Sequence, residues 1–455
     1  MAADSAFAQW PVIQAAALHI LRSLLPRIFH KRSPQRARRL HPTSYLDALR
    51  GYAAFFVINH HFFAFEKTWF VNLPIIRTIR SGIGMVALFF VISGYVLSLK
   101  LLTLARQRRR EAFMDHLSSA LFRRYVRLYL PTFAALAIVA FLRYLDWYTP
   151  THDSNGDRTV YVQLCDFLFD VSRVANPFAA TGYYAFNVKS RRDLMYAGSR
   201  YLHILWTIPT EFRASMLVYA FLAASMRMSS TTRMTLCLFC IVLSYYWMAV
   251  YAAMFLSGVF LAELSLNRKS DTPPSSPADP PKIAEKPEER RPTSLLKKVG
   301  YSIAILVALF LLSAPTEEPW TWYYPWSFIK PYMPQQFNQN FELKKQFWPS
   351  LGAPMLIWAL DSWHTLQIPF NWEFSQYLGE ISFGIYLMHI PVIFTLGRNV
   401  LEPMRKAYLG DSLWAFVPQS ILLRLAILWA AEMFTHIDKR SVWFARWAEA
   451  KVFAW

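Results

Sequence analysis

Four side chains that can exchange a proton lie in segments otherwise apolar enough to sit in lipid: His61, Glu211, Tyr386 and His389. Burying an ionisable group at that depth is costly, so His61, Glu211 and His389 are functional candidates from the outset. In SYLDALRGYAAFFVINHHFFAF, His61 follows Arg50 by eleven residues, about three helical turns. That spacing puts the two on one face, roughly 16 Å apart along the axis. Asp47 precedes Arg50 by one turn and can pair with it, and His60 points about a quarter-turn away from His61. In HILWTIPTEFRASMLVYAF, Glu211 and Arg213 face different sides of a helix, so Glu211 needs a partner elsewhere, and His61 is a candidate. Trp206 is a candidate interface anchor, and Pro209 is expected to kink the helix near Glu211. In YLGEISFGIYLMHIPVIF, Ser382, Tyr386 and His389 form a polar stripe at i, i+4, i+7. Each of these residues taken singly is explained by helix packing. Three ionisable groups at comparable depth, His61, Glu211 and His389, point instead to one polar pocket.

A second group suits anions. LFRRYVRLYLP brings Arg123, Arg124 and Arg127 to the end of an apolar run. They either anchor the helix at the cytosolic face or clamp phosphate, whose oxygens guanidinium groups grip in a fork. The preceding run, GIGMVALFFVISGYVLSLK, holds Gly82, Gly84, Ser93 and Gly94, small enough for close helix approach. No metal set is visible. Cys237 and Cys240 make a C-x-x-C inside LCLFCIVLSYYW, where a zinc or redox site would lack polar surroundings and further ligands, and helix packing explains them better.

The elements that position these groups follow from composition. Of 455 residues, 55% are hydrophobic and only 17% charged, against about 25% charged in a typical soluble domain; mean hydropathy is +0.22. The fold class is all-α, a polytopic bundle of about ten spans, each needing about 20 apolar residues. They lie near 44–64, 82–100, 128–147, 204–225, 234–249, 251–265, 299–314, 347–361, 376–397 and 414–434. The net charge of +19 does not indicate nucleic acid, because Lys and Arg gather between the apolar runs, as in cytoplasmic loops. Seven precede the first span (Arg22, Arg27, Lys31, Arg32, Arg36, Arg38 and Arg39), and RQRRR at 106–110 follows the second. With this span count the basic segments share one face and both termini are cytosolic; the connection 362–375, which lacks Lys and Arg, is the exception.

The expected organisation is a cytosolic segment 1–43, a transmembrane domain 44–434 and a cytosolic tail 435–455. Within 1–43, QWPVIQAAALHILRSLLPRIFHKR reads as an amphipathic surface helix rather than a cleavable signal. The Pro-rich DTPPSSPADPP marks a flexible cytosolic loop at 266–297. On the other face, the aromatic-rich 149–202 and 315–345 either shape an acceptor mouth or simply cover the bundle.

Five motifs in order resemble the acyltransferase-3 family of integral membrane acyltransferases. LDALRG followed by His61, VALFFVISGYVLS, FRRYVRLYLP, LWTIPTEFRASM and YLGEISFGIYLMH are similar to its successive motifs, and the likeness covers roughly 44–434. It is closest to fungal members. Met85, Val86 and Ala87 stand where bacterial members often carry Gly-Val-Asp, and Thr207 where many carry Ser.

The resemblance implies an acyl-CoA donor, most often acetyl-CoA, as co-substrate with no bound cofactor, and a hydroxyl acceptor on a carbohydrate or small natural product. Arg123, Arg124 and Arg127, with Arg50, would hold the donor phosphates at the cytosolic face. His61 would act as general base, Glu211 would orient it, and Tyr386 or His389 would donate to the oxyanion. A covalent acyl-histidine is the alternative within the same class. A secondary transporter should show internal repeats or paired broken helices, and neither is seen. A non-catalytic membrane protein would not need Arg50, His61, Glu211 and His389 together in lipid.

Overall fold

The structure, a computed structural model, describes residues 40–62, 69–148, 159–178, 199, 201–270, 294–316, 324–339 and 341–453. Among them every regular element is helical and no strand occurs. The main helices are α1 (Ser44–His61), α2 (Gly82–Arg106), α3 (Arg110–Tyr144), α4 (Val160–Ala175), α5 (Thr207–Ser225), α6 (Ser230–Tyr246), α7 (Val250–Ser270), α8 (Leu295–Leu312), α9 (Phe341–Ser362), α10 (Glu373–Val392) and α11 (Phe416–Val452). Among the described residues six segments are long and apolar enough to cross a bilayer: Gly82–Arg106, Arg110–Tyr144, Val250–Arg268, Leu295–Leu312, Glu373–Tyr408 and Leu413–Val452. The other four expected spans also fall on helices, namely α1, α5, α6 and α9. Helices α1 and α5 carry the charged residues of the candidate site, which lowers their hydropathy.

Turn chemistry closes two of the hairpins. Arg108 (φ 55°) turns α2 into α3, and Met248 (φ 59°) turns α6 into α7, both left-handed residues just past a helix end. Ser81 caps α2, accepting from the Gly84 amide at 3.2 Å and donating to the Leu312 carbonyl at 2.6 Å, which ties α2 to the end of α8. At the opposite end of α2, Glu263 on α7 is almost fully buried and satisfied twice over. Arg106 Nη2 and Arg233 Nη2 each approach its Oε1 at 2.8 Å, joining α2, α6 and α7. A carboxylate and two guanidiniums drawn from water in this way need one another. Cys237 is buried on α6, its thiol donating to the Leu256 carbonyl of α7 at 3.3 Å.

Two hydrophobic clusters fill the bundle. One is built on α2, α5, α7, α8 and α9, including Phe90, Phe255 and Leu312. The other is built on α1, α3, α10 and α11, including Ile58, Tyr129, Ile385 and Leu423. They meet along α1, α3 and α5, which give buried residues to both, and Phe89 of α2 packs against both. Small residues allow the closest crossings. A Cβ on Gly51 of α1 would lie 2.4 Å from the Gly379 amide nitrogen of α10, and one on Gly94 of α2 would lie 2.1 Å from the Phe255 carbonyl of α7.

Several boundaries differ from the sequence reading. The expected start of the tail at 435 falls inside α11, which runs unbroken to Val452. Residues 266–270 continue α7 and 294–297 open α8, so only 271–293 of the expected loop lies outside the described residues, as does 1–39 with its expected amphipathic helix. Pro209 produces no kink. Helix α5 begins at Thr207, so the proline sits in the first turn, where its missing N–H has no intrahelical partner to lose. Beyond α10 the chain passes through a π-helix, Ile393–Leu401, just after Pro391, which removes an α-helical donor.

Candidate active site

Two cavities lie on the seam between the clusters. The first, about 180 Å³, is lined by Arg50, Arg124 and Arg127, by Ser93, Glu211 and Ser382, and by Phe89 and Phe90 among apolar groups. The second, about 220 Å³, is lined by His60, His61 and His203, with Trp206, Tyr251, Lys345 and Gln346. Val86, Thr207 and Tyr386 line both, so the cavities lie back to back across these three side chains.

In the basic cavity most of the charges are held by protein partners. Arg124 Nη2 pairs with Glu211 Oε1 at 2.8 Å, and Arg124 Nε donates to Ser215 Oγ at 2.9 Å. Ser93 of α2 donates to the same Glu211 oxygen at 3.2 Å. Arg50 Nε donates to Ser382 Oγ at 3.0 Å, and its Nη2 lies 3.3 Å from Asp47. Arg127 is exposed at the cavity, whose lining also includes Glu380 and Asp438. Lys439 binds Glu380 at 2.7 Å. Arg123 is not brought here. Its Nε pairs with Glu449 of α11 at 3.2 Å and donates to the Ser119 carbonyl.

The histidine cavity is organised ring on ring. The His61 ring centroid lies 5.0 Å from that of His60, 5.2 Å from His203 and 5.2 Å from His389. Exposure grades inward: His60 and His203 are exposed, His61 is half-buried, and His389 is sealed. His389 Nδ1 lies 3.0 Å from the Ile385 carbonyl one turn back, while its buried Nε2 has no hydrogen-bond partner among the described residues. A ring donating from Nδ1 carries its lone pair on Nε2. Trp206, a candidate interface anchor from the sequence, lines the cavity, 5.8 Å from Tyr251 between ring centroids. Gln346 donates to the Tyr251 hydroxyl at 2.7 Å. Among the described residues no group of three His, Cys, Asp or Glu side chains is placed to share a metal ion.

Between the cavities, the Thr207 and Tyr386 hydroxyls share a 2.5 Å hydrogen bond, and Tyr386 also donates to the Ile204 carbonyl. That bond pins the single turn His203–Trp206, which carries His203 and Trp206 into the cavity.

The polar stripe of α10 therefore does face Arg50 and His61 on α1, with Ser382 at the basic end and His389 at the other. Glu211 is not beside His61. It lies one turn beyond Thr207 on α5, towards the basic end, and is taken by Arg124. His203 was missed by the sequence reading, although it opens the run HILW just before α5. Ser93, grouped there with the packing residues, holds Glu211, and Thr207, noted only as a departure from Ser, bonds Tyr386.

The family model for the acyltransferase domain of the acyltransferase-3 family matches residues 43–433. The chain belongs to this membrane-embedded acyltransferase family. It is 30% identical to O-acetyltransferase PaAT-1 of Phomopsis amygdali, over 92% of this chain and 87% of that protein. Acyltransferase clz18 of Cochliobolus lunatus and acyltransferase R4 of a Phoma species are each 22% identical, over 79% of this chain and 84% of each relative. No solved structure matches the chain.

Proposed function

We propose that this acyltransferase moves an acetyl group from acetyl-CoA to a hydroxyl of a carbohydrate or small natural product. The observation that carries the reading is the pair of cavities back to back, one set with arginines and the other with histidines. A polyanionic thioester suits the first and a neutral polyhydroxylated acceptor suits the second. The name of the Phomopsis relative, an O-acetyltransferase, supports the acetyl group.

The basic cavity lies at the ends of α1, α2 and α3 from which the clusters of Lys and Arg lead, the side assigned to the cytosol with both termini. Arg50 and Arg127 meet the donor phosphates. Arg124, held in place by Glu211 and Ser215, presents a fixed guanidinium beside them. The thioester reaches the wall formed by Val86, Thr207 and Tyr386. On the far side His61 takes the acceptor proton, a contribution of about 10²–10⁴-fold to such reactions. His389 takes the orienting role first given to Glu211, because its ring is the one sealed against His61 and its Nε2 is open to accept from it. Tyr386 spends its proton on Ile204 and positions the His203 turn.

The test is free-thiol release from acetyl-CoA by the detergent-purified protein, with a methyl glycoside, a sterol and a diterpenoid diol as acceptors. Acceptor-dependent release that His61→Ala abolishes, in a variant with unchanged melting temperature, is the expected result. Release untouched by His61→Ala removes the assigned base, and no release with any acyl-CoA removes the donor.

A further inference from the structure

One helix runs past both cavities. On α2, Ile83 and Val86 line the histidine cavity, and Val86, Phe89, Phe90, Ser93 and Leu97 continue along the basic one. Val86 alone of the α2 residues lines both. The two other shared residues are held rigidly: Thr207 and Tyr386 bond each other, and Tyr386 is anchored to the Ile204 carbonyl. Phe89, one turn along α2, packs 6.4 Å from the Tyr386 ring between centroids. The side chains shared by the two cavities are thus two hydrogen-bonded hydroxyls and one apolar group, and any acyl group passing from thioester to acceptor must be accommodated beside them.

We propose that Val86 sets the length of the acyl group, admitting acetyl and holding back longer chains. The inference rests on the acyl-CoA reading above. In the step it governs, the acceptor oxygen bonds to the acyl carbon as the carbon–sulfur bond breaks. The hydroxyl proton passes to His61 and from there to the departing thiolate of coenzyme A. Nothing else is consumed. Only the alkyl part of the acyl group differs between donors, and the side chain beside it decides which alkyl part fits. A pocket discriminates one methylene by about 10–200-fold, so shortening or lengthening Val86 should move the preference by a readable factor.

The experiment compares transfer rates from acetyl-, propionyl- and butyryl-CoA to the best acceptor of the panel, for wild type, Val86→Ala and Val86→Leu. Wild type should prefer acetyl over butyryl by at least about 10-fold. Val86→Ala should raise the butyryl-to-acetyl ratio by about 10-fold or more, and Val86→Leu should lower the propionyl-to-acetyl ratio. Because one variant removes volume and the other adds it, a folding defect in either leaves the other to decide. Ratios equal to wild type in an active variant overturn the length filter and leave the acyl-CoA reading intact. Absence of transfer from every acyl-CoA by the wild type overturns both.

Discussion

The two cavities share a wall but are built on opposite principles. In the basic one four of the six charged groups have a stated protein partner: Arg124 with Glu211, Arg50 with Ser382 and Asp47, Glu380 with Lys439. In the histidine one, imidazoles touch imidazoles, and the most deeply buried of them keeps a ring nitrogen without a partner. A network of paired charges fixes geometry and suits binding, because its groups need not reorganise when a ligand arrives. An unspent acceptor nitrogen beside His61 suits proton transfer, because it can take the hydrogen bond that holds the base in place.

This contrast is broken or sharpened by variants on either side of the wall. The largest effect belongs to His61→Ala, which should lower kcat by about 10²–10⁴-fold while leaving KM for acetyl-CoA within a few-fold. A rise in KM with kcat unchanged would put His61 in donor binding and erase the distinction. Next comes Arg124→Gln, which strands the Glu211 carboxylate. Breaking a buried pair costs about 3–5 kcal/mol, and the partly open Glu211 should hold the loss at or below the lower end. Thermal unfolding of the variant beside Arg124→Gln/Glu211→Gln tests this, since removing the second charge should restore most of the melting temperature.

Gly51→Ala pushes a methyl into the backbone of α10 and should destabilise by about 1–3 kcal/mol, loosening Arg50 and His61 together. A melting temperature equal to wild type would show that α1 and α10 can separate without cost. Arg123→Ala should do least. Its ion pair with Glu449 is partly exposed and worth at most about 1 kcal/mol, and its KM for acetyl-CoA should stay near that of wild type. A large rise in that KM would return Arg123 to the donor site.

Much of this arrangement could be read from the chain because helical periodicity is local. Apolar runs announced the helices, and the eleven-residue step from Arg50 to His61 placed them at two ends of one face, where they now line different cavities. The spacing of Ser382, Tyr386 and His389 likewise foretold a stripe, because residues three and four apart must share a side of a helix. These statements concern one helix at a time, and for them neighbouring residues suffice.

What the chain did not reveal is which helix each group would face. Glu211 and His61 looked like partners by depth, yet Arg124 is nearer the carboxylate, a matter of how α3 and α5 cross. Arg123 and Arg124 are adjacent in sequence and turn to different helices, because successive residues lie about 100° apart around the axis. His203 gains its place only because Tyr386, far along the chain, holds the turn that carries it. Sequence by itself determined the helical class, the polar faces and the family, all of them properties of local pattern. The tertiary structure decided the division into two cavities and the residues that separate them. That choice depends on the angle and closeness of helix crossings, set where glycines such as Gly51, Gly94 and Gly379 let backbones touch.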